Sequence, residues 1–378
     1  MALDPRLRGD DILIRLADKN LSVASLAYLT ALRTMRYRDN ENQPGVKFMT
    51  QANHPFSDPI DEMSRGYTSA QILMTANRLG VFPALGKGRK TVDELAEQLK
   101  ADRRGLTILC DALTSLGLLR KEGEAYRNSD LALEYLLPDS PKSKIAILKH
   151  GWHLYERWGH LYDTVKTGRP APEGAPSSGR VEDDADFARA MADVARTSAA
   201  QTAEQIPLPG ARTMLDIGGG PGLYAIEFAR RNPELRVTIL DNANTLEVAR
   251  AHAGQAGLLD RISFHPADAL EDDLGGGFDF ILLSNVAHSY SDEVNRQLVG
   301  KCARALAPGG RLCVKDFLLD PDRTSPPWAA VFAVNMLVNT DGGNCYTREE
   351  VRAWMEDAGL AWEGVQDVAV NSGIAMGR

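Results

Sequence analysis

The stretch that decides the fold is Thr213–Gly222, which reads T-M-L-D-I-G-G-G-P-G. An apolar run ends at Asp216, a cluster of glycines follows, and helical periodicity begins at Leu223. Glycine permits positive φ and a close backbone approach, and the free N–H groups at a helix start attract negative charge. A strand, a glycine turn and a helix in this order predict a site for a nucleotide-like ligand.

The spacing of these glycines narrows the choice of ligand. A dinucleotide-binding turn needs G-x-G-x-x-G; Gly218 and Gly220 fit that pattern, but its third position falls on Leu223. The pattern Asp216-x-Gly218-x-Gly220-x-Gly222 instead resembles the first motif of class I S-adenosylmethionine methyltransferases. Taken alone, such a loop is also compatible with a turn that binds nothing.

Composition and charge limit the class of protein. The 378 residues are enough for two domains. Four cysteines lie far apart without metal-ligand spacing, and no long apolar run or secretory signal is visible, so we expect a cytoplasmic protein with reduced thiols. The net charge of −8 argues against broad contact with nucleic acid or an anionic membrane.

Residues 1–60 are the least informative part of the chain. Asp11–Leu16 and Leu21–Arg36 are compatible with helices, and the proline-containing stretch Asn40–Asp61 is typical of a linker. We expect an extension that packs on a neighbouring element or stays mobile. The alternative is an arm that exchanges between subunits or covers an active site.

The next part of the chain predicts three helices and a hairpin, the order of a winged helix. Helices begin at Ser69, Thr91 and Asp102, and the short strands are Leu118–Lys121 and Ala125–Asn128. The helix that would read DNA, Arg103–Leu116, is mostly apolar and offers only Arg103 and Arg104 to bases. Such a helix favours subunit association over DNA binding.

Ile145–Gly168 is rich in histidine and aromatic residues. His150 and His153 lie three apart on a helix, but no acidic or cysteine ligand accompanies them, so we predict no metal site. Core packing and the lining of an acceptor pocket are both open for this segment. Pro170–Arg180 is a loop, and Phe187–Ile206 is helical.

Past the glycine turn, strands alternate with helices. The strands are Arg236–Leu240, Ile262–His265, Phe278–Ser284 and Arg311–Asp316, and the helices are Leu223–Arg231, Thr245–Ala256, Asp292–Leu306, Ala329–Val338 and Thr347–Ala358. This alternation predicts an α/β fold with a doubly wound, Rossmann-like sheet whose ligand lies at the carboxyl ends of the strands.

Taken together, Ser69–Arg378 resembles the two-domain small-molecule O-methyltransferases. That family includes plant caffeate and flavonoid enzymes, acetylserotonin methyltransferase and bacterial enzymes of antibiotic and pigment pathways. The motifs that carry the resemblance are L-D-I-G-G-G-P-G, T-I-L-D-N-A, H-P-A-D-A-L, N-V-A-H-S-Y-S-D-E, A-P-G-G-R-L and G-G-N-C-Y-T-R-E-E.

The resemblance implies a domain organisation and a set of partners. Residues 61–200 would form a winged-helix dimerisation domain with connecting helices, and residues 201–378 a domain that binds S-adenosylmethionine. The same resemblance implies a homodimer, a small-molecule acceptor and S-adenosylhomocysteine as the product. We expect no metal and no nucleic-acid or membrane partner.

The resemblance also assigns the cofactor site. Asp241 would accept the ribose hydroxyls, Asp268 would lie beside the adenine amino group, and Tyr290 would pack on the adenine. The full set of expected cofactor residues is Asp216, Gly218, Gly220, Gly222, Asp241, Asp268, Ala269, Ser284 and Tyr290.

For catalysis, the resemblance implies His288 as the base that takes the proton from an acceptor hydroxyl, with Asp316 orienting it. A neutral imidazole suits this role because its ordinary pKa is ~6.5. The family's second acidic position falls on Cys345, so sulfur methylation without a base stays open as an alternative to oxygen. Relatives of this fold that bind the cofactor and do other chemistry are a further alternative. The acceptor pocket is expected to involve His150, Trp152, His153, Tyr155, Phe332, Met336, Asn339 and Cys345.

Overall fold

The computed structural model describes residues 58–172, 184–368 and 372–378. The expected helices at Asp11–Leu16 and Leu21–Arg36, most of the Asn40–Asp61 linker and most of the Pro170–Arg180 loop lie outside these ranges. Within the described ranges, no helix combines the length and apolar character needed to cross a membrane.

The N-terminal part of the described chain is mainly helical, and its helices begin where the sequence supplies caps. The Thr91 hydroxyl accepts a hydrogen bond from the Glu94 amide, and the Glu94 carboxylate accepts one from the Thr91 amide. Asp102 caps a later helix, and Gly80, at φ 80°, ends an earlier one. The helices are α1 Pro59–Arg65, α2 Tyr67–Leu79, α3 Val81–Leu85, α4 Val92–Leu99, α5 Arg103–Ser115 and α6 Asp130–Tyr135.

A small antiparallel sheet completes this region and confirms the winged-helix arrangement. Its strands, in the order β1–β3–β2, are β1 Arg89–Thr91, β2 Leu119–Glu122 and β3 Ala125–Asn128. The sequence does not predict β1, because three residues are too few to show alternation. One side of α5 is buried in the core of this region, whereas Ile108 on its other side is 54% exposed.

Three further helices lead from this region to the large sheet: α7 Ile145–Trp158, α8 Leu161–Thr167 and α9 Asp184–Gln205. The aromatic-rich stretch is thus two helices, separated at Gly159 and His160. The long helix α9 contacts α7 on one side and the helices of the sheet on the other. Its buried residues are mostly alanines, which allow this close packing.

The large sheet has seven strands in the order β6–β5–β4–β7–β8–β10–β9. The first five of that order run parallel, and β10 and β9 are antiparallel additions at the β8 edge. The strands are β4 Thr213–Ile217, β5 Arg236–Asp241, β6 Ile262–Pro266, β7 Phe278–Ser284, β8 Leu306–Asp316, β9 Trp362–Val368 and β10 Ser372–Gly377.

Helices cover both faces of this sheet, so the strands are buried on both sides. Met214 packs into one core with α9 and the helices α10 Leu223–Arg231 and α11 Ala243–Gln255. Its neighbour Leu215 faces the opposite core, with the helices α12 Asp292–Ala305 and α14 Arg348–Asp357. A last helix, α13 Pro327–Asn339, lies above the sheet next to the 3₁₀ turn Ala287–Ser289.

The structure confirms the α/β fold class and the predicted order of strands and helices, with small shifts at their ends. The sequence predicts no strand of this sheet after Arg311–Asp316. The C-terminal strands β9 and β10 extend it, and β10 pairs directly with β8. The sheet is therefore mixed rather than wholly parallel.

Candidate active site

The glycine turn after β4 brings the backbone close to its surroundings. Gly218 has φ 61°, and a Cβ atom there would lie 2.7 Å from the Val286 side chain. Gly220 has φ 54°, but a Cβ atom there would meet nothing nearer than the Gly218 carbonyl at 3.9 Å. Gly222, at φ 77°, starts α10. The turn is therefore tightly packed at Gly218, whereas the space next to Gly220 is open, as a ligand-binding cradle requires.

Asp216 lies at the base of this cradle and is 1% exposed. Within the described ranges, neither of its carboxylate oxygens accepts a well-aligned hydrogen bond, and the Ala225 amide offsets the burial only in part. Burial, together with the nearby charge of Asp241, raises the pKa of Asp216 to about 7. A buried carboxylate without a well-aligned hydrogen-bond donor is energetically costly. This position therefore favours a ligand that supplies a hydrogen-bond donor or a positive charge.

Asp241 ends β5 and contacts the glycine turn from the next strand. Its Oδ2 accepts a hydrogen bond from the Gly220 amide at 2.9 Å, and its Oδ1 accepts one from the Asn242 amide at 2.8 Å. Burial nevertheless raises the pKa of this carboxyl, and the charge of Asp184 adds to the effect. The Asn242 side-chain amide also donates to Oδ1, at 3.2 Å, so it is Oδ2 that keeps a lone pair for a further donor.

The other expected cofactor residues surround the same edge of the sheet. Burial raises the pKa of Tyr290, and the charges of Asp268 and Asp241 add to the effect, which places all three near one another. Asp268 is exposed and accepts a hydrogen bond from the Leu270 amide. Ala269 is half-buried, and the buried Ser284 hydroxyl has no hydrogen-bond partner within the described ranges.

His288 and Asp316 form a buried pair. The His288 Nδ1 lies 2.7 Å from the Asp316 Oδ1, and the His288 amide donates to the Asp316 Oδ2 at 3.1 Å. The Phe317 amide also donates to Oδ1, at 2.8 Å. Burial raises the pKa of a carboxyl, but here the charge of His288 and these hydrogen bonds outweigh it and hold the pKa of Asp316 below its usual value.

This arrangement leaves the second imidazole nitrogen available for chemistry. A carboxylate can only accept hydrogen bonds, so the imidazole carries a proton on Nδ1, and in its neutral form the lone pair is on Nε2. The Ala287 and Tyr290 carbonyls accept hydrogen bonds from the Asn295 amide group, which holds the turn around His288. A neutral histidine fixed in this way is suited to remove a proton.

Aromatic side chains surround His288. Its ring centroid lies 5.0 Å from that of Phe332 and 6.0 Å from that of Phe317. Phe317 and Phe332 are themselves 4.6 Å apart, and the half-exposed Trp328 is 6.2 Å from Phe332. Phe317 is absent from the sequence-based set of site residues. Its only signal is its place directly after Asp316.

Cys345 lies in the same small cluster and is 1% exposed. Burial and the charge of Asp316 raise the pKa of the Cys345 thiol to about 12. The thiol therefore stays protonated and cannot replace a carboxylate. Met336 is also buried.

The residues of α7 that are expected in the acceptor pocket make contacts with other helices. His150 packs edge-on against Phe187 of α9, and Trp152 lies under Arg78 of α2. Tyr155 is 42% exposed, and His153 is half-buried. Their place in an acceptor pocket stays a prediction.

Asn339 connects α7 to α13. Its side-chain oxygen accepts a hydrogen bond from the Arg157 guanidinium at 2.6 Å. One turn earlier, Asn335 accepts a hydrogen bond from the Trp158 indole at 2.8 Å. Neither of these two hydrogen bonds is predictable from the sequence, because the residues that form them lie far apart along the chain.

A sheet of this order, a glycine turn with an open cradle and a buried histidine–carboxylate pair define an S-adenosylmethionine-dependent methyltransferase. Two family models match the chain: an O-methyltransferase domain over residues 158–361 and an O-methyltransferase dimerisation domain over residues 62–138. The chain belongs to the O-methyltransferase family.

Individual relatives agree with this assignment. The chain is 32% identical over 307 residues to a 3-hydroxy-5-methyl-1-naphthoate 3-O-methyltransferase of Streptomyces sahachiroi, which covers 80% of this chain and 89% of the relative. It is 31% identical over 300 residues to human acetylserotonin O-methyltransferase, covering 75% and 86%.

Solved structures show the same fold. Human N-acetylserotonin methyltransferase in complex with S-adenosylmethionine matches with a TM-score of 0.75 and 27% identity, over 86% of this chain and 99% of that one. The mitomycin 7-O-methyltransferase matches with a TM-score of 0.73 and 28% identity, over 84% and 96%. The protein is a methyltransferase of small molecules that uses S-adenosylmethionine, and its dimerisation domain supports a homodimer.

Proposed function

We propose that the protein methylates a hydroxyl oxygen on a flat aromatic small molecule, with His288 as the base and Asp316 as the group that orients it. The observation that carries this proposal is the 2.7 Å contact between His288 Nδ1 and Asp316 Oδ1 in a buried site. A base is useful for oxygen because a phenol has an ordinary pKa of ~10 and is not ionised at neutral pH.

S-Adenosylmethionine, when bound, supplies a methyl group activated by attachment to a cationic sulfur. His288 Nε2 takes the proton of the acceptor hydroxyl, and Asp316 stabilises the imidazolium that results. Removal of this proton would leave the oxygen free to accept the methyl group that the cofactor would supply. The proton then leaves His288 to solvent.

The geometry of the cradle supports the proposed cofactor residues. The buried carboxylate of Asp216 and the open space next to Gly220 fit an amino-acid portion that carries an ammonium group. Asp241 keeps a lone pair on Oδ2 for a ribose hydroxyl. Asp268 and Tyr290, which lie near Asp241, and Ala269 are proposed to contact the adenine. Gly218, Gly222 and Ser284 complete this proposed set.

Two observations support an aromatic acceptor. The rings of Phe317 and Phe332 stand next to His288, and flat apolar walls of this kind favour planar rings. The Streptomyces relative is named for a hydroxynaphthoate, which is a planar bicyclic phenol. Both relatives described above are O-methyltransferases, which favours oxygen over sulfur as the acceptor atom. Met336, Asn339 and Cys345, with the α7 residues, remain proposed pocket residues.

The test is label transfer from methyl-labelled S-adenosylmethionine to a panel of naphthols, hydroxynaphthoates, simple phenols and methylthio acids. We expect label in an aryl methyl ether and a loss of ~10²-fold or more in His288→Gln. His160→Gln, at the start of α8, is the matched control and should transfer label normally. Label in a sulfonium product, or a His288→Gln variant with an unchanged rate on un-ionised phenols, would refute the proposal.

A further inference from the structure

Lys315 is a fully buried lysine next to the site, and the reaction described above does not use it. It lies in β8 directly before Asp316 and is 1% exposed. Lysine is rarely buried to this degree without an acidic partner. Within the described ranges, Lys315 forms no ion pair, so a different role must offset the cost of its burial.

Lys315 contacts the loop that carries His288 at Asn285, and it also contacts β10 and α10. Its amino group donates to the Asn285 Oδ1 at 3.3 Å and to the Ser372 hydroxyl at 3.4 Å, and lies 5.5 Å from the centre of the Tyr224 ring. Its own carbonyl accepts a hydrogen bond from the Asn285 amide at 2.8 Å. Lys315 therefore holds both the backbone and the side chain of Asn285.

Asn285 is the residue where the chain turns away from β7. It has φ 58°, which is the left-handed region that asparagine tolerates better than most residues but that still needs support. This turn sets the direction of the following residues. Val286 comes to lie against Gly218 of the cofactor cradle, and His288 comes to lie against Asp316.

We infer that Lys315 is a positioning residue that fixes His288 through Asn285. The inference rests on the proposed function, in which His288 is the base. Because side chains alternate along a strand, Lys315 and Asp316 reach the His288 loop from opposite faces of the sheet. Asp316 sets the orientation of the imidazole, and Lys315 sets the path of the backbone that delivers it.

The test compares Lys315→Met with Asn285→Gly in the full-length protein. Methionine keeps the length and apolar stem of lysine but cannot donate to Asn285. Glycine adopts the positive φ without strain but removes the accepting side chain. Arg311→Met is the matched control, because Arg311 is a basic residue of the same strand that pairs with Glu363 instead.

The kinetic readout separates positioning of the base from a general structural role. We expect Lys315→Met to lower kcat ~10-fold or more on an un-ionised naphthol, with affinity for S-adenosylhomocysteine within about twofold of wild type. On a nitro-substituted naphthol that is already ionised at the assay pH, the loss should disappear. The double variant with Asn285→Gly should be no slower than either single variant.

A second readout does not depend on finding a good acceptor. Backbone amide exchange of residues 284–290, with S-adenosylhomocysteine bound, should become ~10-fold faster in Lys315→Met and stay unchanged in Arg311→Met. Unchanged exchange in Lys315→Met, or an equal loss of rate on both kinds of naphthol, would overturn the inference. A normal rate in His288→Gln would instead overturn the proposed base, while the exchange result would still report whether Lys315 holds the loop.

Discussion

Replacing Asp316 with asparagine tests the site most directly, because it changes charge and hydrogen bonding but hardly changes shape. Oδ1 accepts hydrogen bonds from the His288 ring and the Phe317 amide, and Oδ2 accepts one from the His288 amide. An asparagine has one accepting oxygen and one NH₂ group. Whichever way it is placed, its NH₂ group faces an N–H group that now lacks an acceptor.

Both placements of the amide carry a cost. With the NH₂ group towards the His288 amide, the ring keeps its orientation but loses the negative charge that stabilises imidazolium. With the NH₂ group towards the ring, it donates to Nδ1 and forces the ring proton onto Nε2, where a base must be empty. One unsatisfied buried donor costs about 1–3 kcal/mol of stability, and loss of the base costs ~10²–10⁴-fold in rate.

The pH dependence of stability gives a second signature of Asp316→Asn. The pKa of Asp316 is lowered in the folded state, so this carboxylate stabilises the protein above its unfolded pKa. That stability is lost as the pH falls below about 4 and through the lower folded pKa. The variant should lack this contribution, and its difference from wild type should shrink as the solution becomes more acidic.

The assays are the rate of label transfer to a naphthol and the free energy of unfolding from urea titration. We expect kcat to fall ~10²-fold or more, with affinity for S-adenosylhomocysteine nearly unchanged, because Asp316 does not belong to the cofactor cradle. A variant that retains more than a third of wild-type kcat would refute the argument that Asp316 fixes the reactive tautomer.

The remaining predictions concern the cofactor cradle. Asp241→Ala should weaken S-adenosylhomocysteine binding about 10–100-fold, since it removes charged hydrogen bonds of about 1.5–3 kcal/mol, and calorimetry that finds unchanged affinity would rule out the ribose role. Burial raises the pKa of Asp216 from 3.8 to about 7, so this carboxyl ionises at a lower pH in the unfolded chain than in the folded protein. The ligand-free protein should therefore lose stability as the pH rises between these two values. Asp216→Asn should remove that slope in thermal unfolding from pH 4 to 8, and an identical slope in the variant would contradict the assignment.

The sequence predicted the elements whose pattern is local. The glycine turn after Asp216, the capping box at Thr91 and the parallel strands with their helices all follow from short-range signals, and the structure contains them. The strands β9 and β10 were not predictable in the same way. In β10, Ser372–Gly377, every residue is buried, so polar and apolar positions do not alternate, and its place in the sheet depends on pairing with β8.

The same limit applies to the site. The resemblance to a family identified His288 and Asp316 by position, and the structure brings their side chains together. It did not identify Lys315, because the role of Lys315 comes from the face of β8 that it occupies. It did not identify Phe317 either, because the role of Phe317 comes from packing with Phe332 of a distant helix. The assignments on α7 remain predictions, since a helix rich in aromatic residues serves core packing as readily as ligand contact.

The alternation of side chains along β8 limits the insertions and deletions that this strand can tolerate. Lys315 and Asp316 are neighbours that serve opposite faces, so inserting or deleting one residue between Leu312 and Lys315 would exchange them. The amino group would then stand beside His288, and the carboxylate would enter the pocket under Tyr224. The strand must therefore keep its length between Leu312 and Lys315, so that each side chain stays on its own face of the sheet.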